Sequence, residues 1–100
     1  MKATQIKTID VNCKEWFDKV NGNSYFAGEI IVNAGKKNET IIKLPFQYGY
    51  GDHYRYIAFE IVKNNLNTFK TVDRPRQAYE KYKIKTNHSI KRNCLKRELL

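Results

Sequence analysis

Cysteine, proline, methionine and tryptophan are scarce in this chain of 100 residues, which holds two, two, one and one of them. Acidic side chains are scarce as well: ten Asp and Glu stand against nineteen Lys and Arg, for a net charge of +9. Cys13 and Cys94 form neither a C-x-x-C pair nor a dense framework, so the sequence is not that of a disulfide-stapled scaffold. The two read as reduced thiols in a cytosol. No apolar run approaches the roughly 18 residues of a membrane span, and Met1-Lys-Ala-Thr-Gln-Ile lacks the apolar core of a signal peptide. The expectation is a cytoplasmic protein with no membrane contact.

The usual marks of catalysis are missing too. There is no G-x-S-x-G, no P-loop and no G-x-G-x-x-G. Asp52 and His53 are adjacent, and neighbours on a helix point apart, so they make no catalytic pair. Cys13, His53, His88 and Cys94 are the only thiol or imidazole ligands, and none has the local spacing of a zinc site. The expectation is therefore a non-enzymatic protein without metal or cofactor.

What the chain does have is 41% apolar and 13% aromatic residues, enough for a core in one small α+β domain spanning 1–100. Trp16, Phe17, Tyr25, Phe26, Phe46 and Phe59 would supply most of its bulk. The organising stretch is Leu44–Val62. Pro45 should stop a strand, because proline cannot donate to a ladder. Gly49 and Gly51 then allow a sharp turn, Asp52 offers an N-cap, and a helix follows to about 65. Tyr54, Ile57, Ala58, Ile61 and Val62 form one apolar stripe on it.

Before that helix, residues 3–11 favour an edge strand, with Ile9, Val11 and Cys13 on one face. Residues 12–20 have two readings. Asn12 with Glu15 suggests a capping box and a short helix closed by Gly22. Alternatively, Trp16–Val20 is a strand turning at Asn21-Gly22 into Ser24-Tyr25-Phe26, and this hairpin is preferred because Asn-Gly suits the positive φ of a tight turn. Residues 24–33 make the next strand. Phe26, Gly28, Ile30 and Val32 share one face, and the small Gly28 marks a bulge or a close neighbour. Thr40–Leu44 returns, giving an antiparallel meander over 16–44. After the helix, Asp73 and Pro75 predict a possible short helix over 74–81. From Tyr82 to Lys91 the period is two: Tyr82, Ile84, Thr86, His88 and Ile90 face one way, Lys83, Lys85, Asn87, Ser89 and Lys91 the other. Leu95, Leu99 and Leu100 would dock as a terminal helix or fray. The whole predicts an antiparallel sheet of three to four strands, the meander plus a C-terminal strand at about 82–91, covered by one main helix at about 52–65.

Charge is uneven along the chain. Residues 1–69 carry +2 and residues 70–100 carry +7. Such a concentration points to an anionic partner, against the bland reading of a solvated lysine-rich surface. The candidate nucleic-acid-binding residues are Arg74, Arg76, Lys81, Lys83, Lys85, Lys91, Arg92, Lys96 and Arg97. Alternating lysines on a strand would stand about 6–7 Å apart, near the phosphate spacing of one strand. Tyr48, Tyr50 and His53 could stack on splayed bases, and Arg55 could help a phosphate at the helix N-terminus. The simpler reading of that last segment is a tyrosine-rich turn.

Trp16-Phe17-Asp18-Lys19-Val20-Asn21-Gly22-Asn23-Ser24-Tyr25-Phe26, followed by Pro45-Phe46-Gln47-Tyr48-Gly49-Tyr50-Gly51, resembles a group of small proteins of bacteriophages and prophages. In that group a W-F-D-x-x-N-G-N-[ST]-Y hairpin precedes a Y-G-Y-G turn, a helix and a basic segment. The likeness covers about two thirds of the chain. It implies a phage protein in the host cytoplasm that acts on nucleic acid, a nucleoprotein complex or host machinery. Two functions follow as expectations: binding of nucleic acid or a nucleoprotein target through the basic C-terminal surface, or modulation of a host protein, as in anti-defence or transcription control, without nucleic-acid contact.

Overall fold

The computed structural model describes residues 1–69 and 74–100. Four strands form one sheet: β1 (Thr8–Asp18), β2 (Asn23–Val32), β3 (Thr40–Tyr48) and β4 (Lys85–Lys91), in the order β3-β2-β1-β4. Helix α1 (His53–Asn65) and helix α2 (Pro75–Lys81) lie between β3 and β4 in the chain. Single turns of 3-10 helix occur at Ala3–Gln5 and Lys96–Glu98.

The fold is α+β as the periodicity predicts, but the sheet is mixed. β1 pairs antiparallel with β2 and parallel with β4. A parallel pair needs a long crossover, and the helical passage supplies it. It returns the chain to the end of the sheet where β1 begins, with Lys85 N donating to Lys7 O at 3.0 Å. β4 must then run the way β1 runs. Two helices, not one, accompany the sheet: Ala78 of α2 is fully buried in the same core as α1.

Several boundaries differ from the sequence reading. Residues 12–18 are strand, as the preferred hairpin reading has it and the helical alternative does not, but β1 is one continuous strand in the middle of the sheet rather than an edge. The hairpin loop is Lys19–Gly22, between the Asp18–Asn23 pair, so Val20 is in the loop. The Asp18 carboxylate holds the loop by accepting from Val20 N (3.0 Å), Asn21 N (3.3 Å) and Asn21 Nδ2 (2.8 Å). Those bonds, the Asn21 side chain first, pull the Asp18 pKa below its ordinary value. β4 starts at Lys85 because Tyr82 still belongs to the end of α2, donating to Ala78 O, and Lys83 turns the chain with φ of 53°. The N-cap expected at Asp73 lies outside the described residues.

β3 does not stop at Pro45. β3 is an edge strand, where a missing donor costs little, and Pro45 falls in a bulge. Leu44 pairs with Gly28 and Gln47 with Phe26, so Pro45 and Phe46 together oppose Ala27. The extra residue has a consequence for direction: Leu44 is buried in the helix-side core, whereas Phe46, two residues on, packs on the other side of the sheet. Gly28 sits at this place for a second reason. A Cβ there would lie 2.1 Å from Asn12 O and 2.7 Å from Cys13 Cα, so only glycine lets β1 and β2 approach so closely.

The core lies between the sheet and the helices. Ile9, Val11 and Cys13 of β1, Phe26, Ile30 and Val32 of β2, and Leu44 of β3 meet Tyr54, Ala58, Phe59 and Val62 of α1. The stripe on α1 is centred nearer Phe59 than predicted, leaving Ile57 and Ile61 half-buried. Burying Phe59 and Val62 contributes about 1.5–3 kcal/mol each. Asp52 occupies the N-cap position of α1 but makes no capping bond with its side chain. Asn33 is fully buried with φ of 55° and ties down the N-terminal segment.

Candidate functional site

The two faces of the sheet have different chemistry. The helix face is apolar. The opposite face, here the outer face, follows from the same alternation: Asp10, Asn12, Lys14 and Trp16 of β1, Tyr25, Ala27, Glu29 and Ile31 of β2, Ile41 and Lys43 of β3, and Lys85, Asn87, Ser89 and Lys91 of β4. Side-chain bonds run across its centre, Asn87 Nδ2 to Asp10 Oδ1 and Ser89 Oγ to Asn12 Oδ1, both at 2.9 Å. No α-helix covers this face among the described residues. The segment after β4 reaches it instead.

At the end of the outer face near the hairpin loop, aromatic rings form a layer. Tyr25 stacks on Phe46 (centroids 5.2 Å apart, planes at 6°) and on Trp16 (5.4 Å, 26°). Tyr48 meets Tyr25 edge-on at 5.9 Å, and Tyr50 meets Tyr48 edge-on at 5.2 Å. The C-terminal segment closes part of this layer: buried Cys94 and Leu99 pack with Ala27, Trp16 and Phe46, and Lys96 Nζ stands 5.2 Å from the Trp16 ring centroid. Tyr48 and Tyr50 remain 52% and 51% exposed. Tyr50 is fixed by its hydroxyl, which donates to Gly22 O at 3.3 Å, and the Tyr50 hydroxyl in turn raises the Tyr48 pKa.

Beside the rings lies an open groove of about 540 Å³, bordered by Lys14, Lys43, Lys91, Ser89, Glu98 and Leu99. Lys14 and Lys91 are paired across β1 and β4. The Glu98 carboxyl is held below its ordinary pKa, first by the Cys94 thiol and then by the positive charges of Lys91 and Lys14.

The nine predicted basic residues fall into two groups. Arg74, Arg76, Lys81, Lys83 and Lys85 surround α2 and the start of β4; Lys91, Arg92, Lys96 and Arg97 follow its end. The expected row of alternating lysines is absent. Lys83 lies outside the strand, and Lys85 and Lys91 are separated by Asn87 and Ser89, about 20 Å along the strand. Two of the nine are engaged by acids: Arg76 Nε by Glu80 at 3.0 Å, and Arg92 Nη1 by Glu15. Lys81 lies over the Tyr82 ring. Among the described residues, no carboxylate comes within 4.0 Å of Lys83, Lys85, Lys91, Lys96 or Arg97.

The predicted stacking group is split. Tyr48 and Tyr50 belong to the outer aromatic layer. His53 packs on Phe26 and Tyr56, and Arg55 lies on α1 with its Nε donating to Tyr54 Oη at 3.3 Å and 3.7 Å from Asp52. Trp16, Tyr25 and Phe46, expected as core bulk, stand on the outer face, and Lys14 and Lys43 join the site without having been singled out by sequence. Period two on β1 and β2 already places Trp16 with Lys14 and Tyr25 with Glu29, a signal that these rings stand on the polar side; Phe17 is also 41% exposed. Among the described residues, no three His, Cys, Asp or Glu come together as a metal-holding group, and no helix is long and apolar enough to cross a membrane. Comparison with known protein families, curated proteins and solved structures gives no match.

Proposed function

We propose that this chain is a non-enzymatic, phage-type cytoplasmic protein that binds nucleic acid, alone or within a nucleoprotein complex. The observation that carries the reading is the meeting of lysines that have no carboxylate within 4.0 Å, Lys14, Lys91 and Lys96, with the Trp16–Tyr25–Phe46 layer, which Tyr48 and Tyr50 extend, on a sheet face that no α-helix covers among the described residues. Lysines without partners release counterions when they meet phosphates, and rings accept bases. Nothing in this arrangement needs a nucleophile or a base.

The test is charge removal at Lys14, Lys91 and Lys96, all to Gln. Arg92 is left alone, because it pairs with Glu15. Binding to a random-sequence oligonucleotide should weaken, and the slope of log K against log salt should become shallower by about 0.7–0.9 for each phosphate no longer neutralised. Unchanged affinity and slope would remove the proposal.

A second reading, a modulator of a host protein, is favoured by the hairpin tip. Phe17 is 41% and Val20 92% exposed there, and apolar side chains so placed suit a protein contact. A complex with a host protein that survives both nuclease and high salt would support it, and Val20→Asp should then abolish that complex.

A further inference from the structure

We infer that the nucleic acid taken by the outer face is single-stranded, with unpaired bases on Tyr48 and Tyr50 and the sugar-phosphate backbone following the groove between Lys14, Lys43 and Lys91. The inference rests on the proposed nucleic-acid function and narrows it to one substrate class.

Three observations carry it. Tyr48 and Tyr50 are half exposed although each ring is held by edge contacts and Tyr50 also by its bond to Gly22 O. A ring already fixed loses little freedom when a base stacks on it, and a duplex keeps its base faces hidden. The groove adjoins the aromatic layer at Trp16 and Phe46, since Ala27 and Leu99 belong both to its lining and to the cluster packed on those two rings, and Tyr48 and Tyr50 extend the layer from there by way of Tyr25. Its three lysines outnumber its two acids, Glu29 and Glu98, so the groove favours an anionic chain.

Fluorescence anisotropy with the unaltered protein decides the matter, using labelled mixed-sequence oligonucleotides of about 12 nucleotides. Three forms are compared at one salt concentration: the single strand, the same strand annealed to its complement, and an abasic strand of equal length. The single strand should bind about 5–150-fold more tightly than the abasic strand, the range expected for one stacked base, and more tightly than the duplex. Tyr48→Ala with Tyr50→Ala should reduce single-strand affinity to the abasic level, while Tyr48→Phe, which keeps both rings and the bond from Tyr50 to Gly22 O, retains it. Equal binding of all three forms, or a preference for duplex, would overturn the stacking inference and leave the phosphate-binding function in place. No binding of any form would overturn both. The abasic strand decides even where the alanine variant is unstable, because it needs no change in the protein.

Discussion

Asn33 offers a clean test of how the N-terminal segment is held. Its side chain is fully buried and engages three backbone groups: Oδ1 accepts from Lys7 N at 2.7 Å and Thr8 N at 3.3 Å, and Nδ2 donates to Gln5 O at 2.9 Å. Its own N–H donates to Thr8 O at 2.9 Å, and its φ of 55° lies in the left-handed region that Asn tolerates better than most residues. Asn33→Gly keeps that backbone conformation and deletes the three side-chain bonds. The three bonds are only part-buried, so each deleted bond costs about 1 kcal/mol rather than the full desolvation penalty, about 3 kcal/mol together. Asn33→Ala adds the left-handed penalty of about 1 kcal/mol. A domain of this size has about 5–15 kcal/mol in all. With a urea m-value near 1.5 kcal/mol/M, the midpoint should fall by about 2 M for Gly and nearly 3 M for Ala. Midpoints within about 0.5 M of the parent would refute the anchoring role. Equal midpoints for Gly and Ala would refute only the backbone part of the reasoning.

Gly28→Ala forces a Cβ against Asn12 O and should cost about 3 kcal/mol or more, lowering Tm by more than about 10 °C in a thermal melt; a neutral substitution would show that β1 and β2 can move apart freely. His88 packs between Tyr54 and Tyr79 with Nε2 buried and, among the described residues, unpartnered; burial lowers its pKa, the Arg55 charge adds to this and Asp52 opposes it. The unfolded chain then takes the proton more readily, so stability is complete above about pH 6.5 and is lost as pH falls through the depressed folded value. Urea midpoints at about pH 7 and pH 5 should therefore differ less in His88→Leu than in the parent, and an equal difference would exclude His88 as the source. The Cys13 thiol, buried and pushed up to about 12, should resist iodoacetamide at about pH 8 until the protein unfolds; alkylation at the rate of a free thiol would contradict its burial.

Much of the fold is legible in the sequence because it depends on short-range pattern. The alternation in Ile9, Val11 and Cys13, in Phe26, Ile30 and Val32, and in Thr86, His88 and Ile90 is what the structure uses. So is the start of α1 after Gly51, whose φ is 54°. Strand partners are not legible. Whether β4 lies beside β1 or β3, and in which direction, is decided by where the helical passage returns the chain, and nothing within residues 85–91 encodes that. The boundary at Tyr82 is hidden for a related reason: Lys83 adopts positive φ without being glycine, so the end of α2 leaves no mark in the sequence.

The candidate site shows why a rule about one residue can hide a surface. Proline argues against a strand interior, and from that rule Pro45 ends the ladder, with Phe46 counted among the core residues. On an edge strand the missing donor matters little, and the bulge admits Pro45 without breaking the pairing of Leu44 with Gly28 or of Gln47 with Phe26. One added residue reverses the alternation beyond it. Phe46 is thereby turned away from the helices and onto Tyr25, and Tyr48 reaches the same ring from its edge. Without the bulge, the inward parity of Ile42 and Leu44 would carry Phe46 and Tyr48 into the helix-side core. The outer face would then keep Trp16 and Tyr25 alone, too few rings to extend from the lysine-lined groove to the hairpin loop. The aromatic layer thus depends on an irregularity that period-two reasoning cannot represent, while the lysines beside it, on regular strands, follow from the alternation directly.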